Sequence, residues 1–163
     1  MIRRATPDDV GVIVGLIHEL ADYERAAHEC TVTVEQLHER LFGPAPAVFA
    51  HVAVENGTVG TTVVGVAVWF LNFSTWDGVH GIYLEDLYVR PTQRGAGHGK
   101  ALITALAREC VERGYSRLTW AVLNWNTPSV EFYDALGAQA QDEWTTYRLS
   151  GAGLAMLGAR PES

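Results

Sequence analysis

The sequence predicts an α+β fold, a mixed sheet with helices on its faces. Three observations carry that reading. Apolar residues recur at helical spacing in 10–21 and again from residue 97 to 110. Segments 48–55, 61–73 and 81–90 are rich in valine and aromatics and are separated by turn residues. A glycine-rich run lies between the last of these strands and the second long helix.

The elements follow in order. Ile2 to Arg4 forms a short strand. Thr6 then acts as N-cap, Pro7 takes the first helical position, and Asp8 and Asp9 favour the helix dipole. Val10, Ile13, Val14, Ile17, Leu20 and Ala21 carry this first helix to about Glu24. Thr33-Val34-Glu35-Gln36 is a capping box that opens a second, short helix through Leu41, and Gly43-Pro44-Ala45-Pro46 ends it. Glu55-Asn56-Gly57-Thr58 is the expected turn between the first two valine-rich strands, and Trp76-Asp77-Gly78 the turn after them. A helix from about Gly97 carries Leu102, Ala105, Leu106 and Cys110 on one face, with Gly114 as its closing glycine. Ser116 to Leu123 reads as a strand, Asn126-Thr127-Pro128 as the start of a helix ended by Gly137, and Trp144 to Leu149 as a last strand. Residues 150–163 read as a loose tail on a single domain whose core spans about 2–149.

Composition narrows the function classes. The 163 residues are 48% hydrophobic and 19% charged, which suits one folded domain. Nineteen acidic against twelve basic residues leave a net charge of −7, so no nucleic-acid partner is expected. Cys30 and Cys110 stand far apart and outside metal-ligand spacing, so reduced thiols, an intracellular protein and no metal are expected. No signal peptide or membrane helix is read, and the expected location is cytoplasmic.

Three stretches carry chemistry. Arg94-Gly95-Ala96-Gly97-His98-Gly99 sits between a strand and a helix. Glycines let backbone approach a ligand, and the helix N-terminus offers unpaired N–H groups, so this is a pyrophosphate cradle or else a tight turn. Arg94 could pair with a phosphate, whereas the His98 side chain is expected to face solvent. A Walker loop is excluded because Gly99-Lys100 is followed by Ala101, and a dinucleotide fold because the glycines come after the meander. In Tyr83-Leu84-Glu85-Asp86-Leu87-Tyr88-Val89 two adjacent carboxylates interrupt an apolar strand. Either they alternate, one solvated and one paired, or a bulge turns both toward a cleft. The third stretch, Asn124 to Ala138, holds Asn126, Phe132, Tyr133 and Gly137 on a capped helix.

Together and in this order, these pieces resemble the GNAT acyltransferase superfamily. Arg94-x-x-Gly97-x-Gly99 matches its acetyl-CoA pyrophosphate motif, and Asn126 with Phe132-Tyr133-x-x-x-Gly137-Ala138 its second helix. Glu19-Leu20-Ala21-x-Tyr23-Glu24, Tyr83-Leu84-Glu85-Asp86 and Trp125-Asn126-x-Pro128-Ser129-x-x-Phe132-Tyr133 resemble the diamine (spermidine/spermine) acetyltransferase branch. The resemblance implies a mostly antiparallel central sheet with helices on both faces, acetyl-CoA as cosubstrate, and a homodimer. It implies Glu85 as the base that deprotonates the amine, often through a water, and Tyr133 as the acid that protonates the leaving thiolate. Backbone of Leu87 and Val89 would pair with pantetheine, that of Arg94, Gly95, Ala96, Gly97, His98 and Gly99 would hold the pyrophosphate, and Asn126 would contact the cofactor. Tyr23, Glu24 and Asp86 would line the amine site. Trp76 resembles a cleft aromatic, with core packing the other reading.

The implied reaction is acetyl transfer to the primary amine of a small molecule of polyamine, diamine or lysine-analogue type. Tyr23 to Glu29 is less acidic than a dedicated polyamine site would be, and Arg25 could instead meet a substrate carboxylate. Two other classes fit less well. A protein lysine or N-terminal acetyltransferase would act on peptides. A non-catalytic acyl-CoA sensor would not need Glu85 and Tyr133. The aromatic strand from Trp69 to Phe73 is a candidate contact surface.

Overall fold

The computed structural model describes residues 1–161. It divides into two compact units, residues 1–123 and residues 124 onward.

The first unit begins with β1 (Ile2–Arg4), a 3-10 turn at Pro7–Asp9 and α1 (Val10–Tyr23). Asp9 organises the entry. Its carboxylate accepts from the Thr6 backbone N–H at 2.7 Å and from both Arg3 guanidinium ends at 2.7 and 3.0 Å. Those bonds, led by the one from Arg3, hold the Asp9 pKa below its ordinary value. In α2 (Val34–Phe42) the capping box forms as expected, Gln36 N–H donating to Thr33 Oγ1 and Thr33 N–H to the Gln36 side chain.

Three long antiparallel strands follow: β2 (Phe49–Gly57), β3 (Gly60–Ser74) and β4 (Val79–Val89). The β2–β3 turn falls at residues 58–59, two positions later than its sequence suggested, because pairing continues to Gly57↔Gly60. After a 3-10 turn at Pro91–Gln93 come α3 (His98–Arg113) and β5 (Leu118–Thr119). Gly114 ends α3 at φ 71°, the left-handed cap expected of it. The sheet order is β1-β2-β3-β4-β5, antiparallel except for the parallel β4–β5 pair.

Helices cover both faces, as the resemblance implied. Val10, Ile13, Val14 and Leu16 of α1 and Leu37 and Leu41 of α2 pack on Val52, Val54, Val66, Val68 and Tyr88. Ile13 and Leu16 are fully buried, so truncating either to alanine would cost ~2–5 kcal/mol. On the opposite face α3 buries Leu102, Ile103, Leu106 and Cys110. Here Trp69 Nε1 donates to His51 Nδ1 at 3.1 Å, and Glu109 of α3 pairs with Arg4 and Arg113. Trp69 is therefore core, only 1% exposed, and of the expected contact strand only the Phe73 end is open to solvent.

The second unit holds α4 (Thr127–Ala135) and α5 (Gly151–Gly158). Gly137 follows α4 at φ 85°, as expected. Three other expectations fail. Residues 144–149 form no strand; a strand exists only through pairing, and Trp144, Tyr147 and Leu149 lie exposed instead. The expected strand over 116–123 shortens to Leu118–Thr119, which stand in register with Ile82 and Tyr83 of β4. Residues 151–158 are helical where a loose tail was expected.

Candidate active site

The site begins with a miscount in β4. Val68 opposes Asp86, while the next residue, Trp69, opposes Leu84. Glu85 is therefore an extra residue, a β-bulge of the kind the two adjacent carboxylates allowed. Directly opposed residues share a face of the sheet. Leu84 thus joins Trp69 on the α3 face, whereas Asp86 joins Val68 and Tyr88 on the α1 face. Glu85 itself is exposed, and Asp86 is half-buried.

The end of α1 brings a third carboxylate. Glu24 caps the helix, with its N–H bonded to the Leu20 carbonyl, and Arg25 follows at φ 62°. The Ala26 N–H then reaches the Ala21 carbonyl at 2.9 Å. This is a closing turn that normally takes glycine, and a side chain at positive φ is strained there. Asp86, Glu85 and Glu24 interact electrostatically. Burial first, then the charges of Glu85 and Glu24, push the Asp86 pKa from 3.8 up to about 6. Burial and Glu85 also raise that of Glu24. Such a cluster repels itself and favours a cation among its members.

A few residues on, the glycine loop takes the form of a cradle. Gly95 and Gly97 sit at φ 87° and 82°, and a Cβ on either would meet no atom within 4 Å. Glycine is thus required by the backbone and not by crowding. Gly97 is the N-cap of α3 and has no side chain to satisfy the first N–H groups of that helix, which leaves them available to an anion. The loop fits a diphosphate. Its Arg94 is more committed than the sequence suggested: Nε donates to the Val89 carbonyl at 2.9 Å, and the guanidinium lies 5.5 Å from the Tyr23 and Tyr88 ring centres. Arg94 thereby ties the cradle to the end of α1. Alongside, the outer edge of β4 pairs with β5 only at Ile82 and Tyr83, so among the described residues no strand covers 84–89, Leu87 and Val89 included.

The expected residues thus separate into groups. Glu85, Asp86 and Glu24 come together, and Tyr23 joins the cradle through Arg94. Trp76 does not join them. It is 92% exposed in the turn joining β3 to β4, six residues of strand and roughly 20 Å from Glu85. Core packing of Trp76 is excluded with it. Asn126, buried at the head of α4, and Tyr133, half-buried with its ring centre 5.4 Å from that of Phe132, belong to the second unit. His98 does not face solvent: its side chain is 12% exposed, with Nε2 2.6 Å from Glu55 Oε1. No local pattern announced Glu55, which lies 43 residues away in sequence.

Comparison with known proteins identifies the family and the fold. The Acetyltransferase (GNAT) family profile matches residues 12–138. A thialysine N-epsilon-acetyltransferase of Bos taurus is 37% identical, over 98% of each chain. An L-ornithine N5-acetyltransferase of Arabidopsis thaliana is 31% identical over 94% of this chain and 85% of its own. Among solved structures, an integron cassette protein from the mobile metagenome of V. cholerae superposes with a TM-score of 0.80 at 27% identity, covering 98% of both chains. With a bulged carboxylate strand leading into a glycine cradle and a family match across most of its length, the chain belongs to the GNAT acetyltransferase family.

Proposed function

We propose that this protein transfers an acetyl group from acetyl-CoA to the primary amine of a small molecule that carries a second charged group. Lysine analogues, ornithine-like amino acids, diamines and polyamines form that class. The observation that carries the proposal is the bulge at Glu85, which sets three mutually repelling carboxylates beside a cradle for a diphosphate. The relatives named above support the amine class, since their own activities concern thialysine and ornithine.

In this reading the backbone of Arg94 to Gly99 and the first N–H groups of α3 hold the diphosphate, Leu87 and Val89 offer strand backbone to the pantetheine arm, and Asn126 contacts the cofactor. Acetyl-CoA supplies a thioester open to attack by a neutral amine. Near pH 7 most of an amine with an ordinary pKa of about 10.4 is protonated, so Glu85 takes its proton, directly or through water. Asp86 and Glu24, with Tyr23 beside them, hold the cationic substrate. Tyr133 gives a proton to the departing thiolate. The reading extends to a homodimer, which rests on the resemblance, and to a cytoplasmic location, which rests on the unpaired thiols Cys30 and Cys110.

The test is acetyl-CoA turnover, followed as thiol release, across polyamines, lysine analogues, amino acids and a lysine peptide. Glu85→Gln and Tyr133→Phe should each lower kcat ~10²–10⁴-fold on the preferred small amine. Turnover confined to the peptide would overturn the substrate class. Tight CoA binding without turnover of any amine would reduce the protein to a sensor.

A further inference from the structure

We infer that Glu55 is a positioning residue for acetyl-CoA, acting through His98 to hold the cradle in its binding conformation; this rests on the reading above. The loop has little else to shape it. Gly95 and Gly97 carry no side chains, their Cβ positions face open space, and Arg94 to Gly97 are exposed. Its two ends are each fastened by one side chain. At the first, Arg94 Nε bonds the Val89 carbonyl. At the second, the His98 imidazole of the first helical residue of α3 is drawn inward onto Glu55 near the end of β2.

The donor and acceptor can be assigned. An ionised carboxylate only accepts, so at 2.6 Å the proton lies on His98 Nε2, in either charge state of the ring. The contact spans two elements that the chain joins only through β3 and β4. Without it, the glycine run would sample more conformations, and binding a diphosphate would have to order it. Glu55 is 40% exposed at its side chain, so it can be changed without opening the core.

Charge and position predict opposite signs, which makes the idea testable. Removing a carboxylate near an anion site on charge grounds alone should tighten CoA binding. Removing an anchor should weaken it. We expect Glu55→Ala to raise the Kd for CoA about fivefold and to raise the KM for acetyl-CoA by a similar factor. The kcat at saturating acetyl-CoA and the KM for the amine should change less than twofold. Glu55→Gln, whose amide oxygen still accepts from Nε2, should recover most of the affinity. In a double-mutant cycle, adding His98→Ala to Glu55→Ala should cost nothing further, because both act through one bond. Unchanged or tighter CoA binding in Glu55→Ala, or additive losses in the cycle, would overturn the inference. Failure of the unaltered protein to bind CoA would instead bring down the acetyl-CoA reading, and this inference with it.

Discussion

Asp86 should make the folded protein less stable, and the penalty should switch on with pH. Raising its pKa from 3.8 to about 6 corresponds to about 3 kcal/mol between the ionised and neutral forms. The sign follows from linkage. Between pH 4 and 6 the unfolded chain has released this proton while the folded chain still holds it, so stability falls as pH rises. Above pH 6 both states are ionised and the full penalty stands; below about pH 4 it vanishes. Asp86→Asn removes the charge with little change in shape. The variant should melt with the parent at pH 4 and lie above it by about 2–3 kcal/mol at pH 8. For a domain of this size that is ~5–10 °C in Tm. Thermal melts of both proteins at pH 4, 5, 6, 7 and 8 measure the gap. Because Glu85 and Glu24 share the repulsion, the rise in the gap should be spread over more than one pH unit. The same variant should lose affinity for the cationic amine, so added stability and raised KM should appear together. A gap that is the same at pH 4 and pH 8, or a variant less stable than the parent at pH 8, would refute the reasoning.

Three further outcomes are expected. Asp9→Ala removes the acceptor shared by Arg3 and Thr6 and should cost ~1–3 kcal/mol in urea unfolding at pH 7; since its folded pKa is lowered, the loss should shrink as pH falls through that pKa. Gly97→Ala meets no clash but forces a side chain to φ 82°, so it should cost ~1–2 kcal/mol of stability and weaken CoA binding in calorimetry. Arg25→Ala should raise KM for amine substrates that carry a carboxylate and leave KM for simple diamines unchanged; equal effects on both would exclude a substrate-pairing role for Arg25.

Much of this was legible in the chain, for reasons that are local. The Thr33–Gln36 box and the cap at Gly114 depend on a few consecutive residues, and the structure has them. The bulge could be suspected from two neighbouring carboxylates, but its position needed the register of β3 against β4. What escaped depends on partners distant in sequence. His98 looked solvent-facing because nothing near it names Glu55, and the bond from Arg94 to Val89 and its place beside Tyr23 were hidden because both partners lie outside its motif. The expected strand at 144–149 has aromatic content that suits a strand, yet composition cannot supply a neighbour to pair with, and in the structure it has none.

The extra residue in β4 has a consequence beyond the charge it carries. Every residue of that strand after Glu85 is out of phase with those before it, and this is why Asp86 and Tyr88 point toward α1 while Leu84 points toward α3. Substituting Glu85 removes one carboxylate and keeps the bulge; deleting it would leave Leu84 opposite Trp69 and Asp86 opposite Val68 in an unbroken ladder. The arrangement is therefore written in the register of β4 against β3 as much as in its letters. Were Glu85 instead drawn into the ladder, with the strand before it held in place and every residue unchanged, Asp86 would turn into the apolar layer beneath α3 and the cleft would lose it.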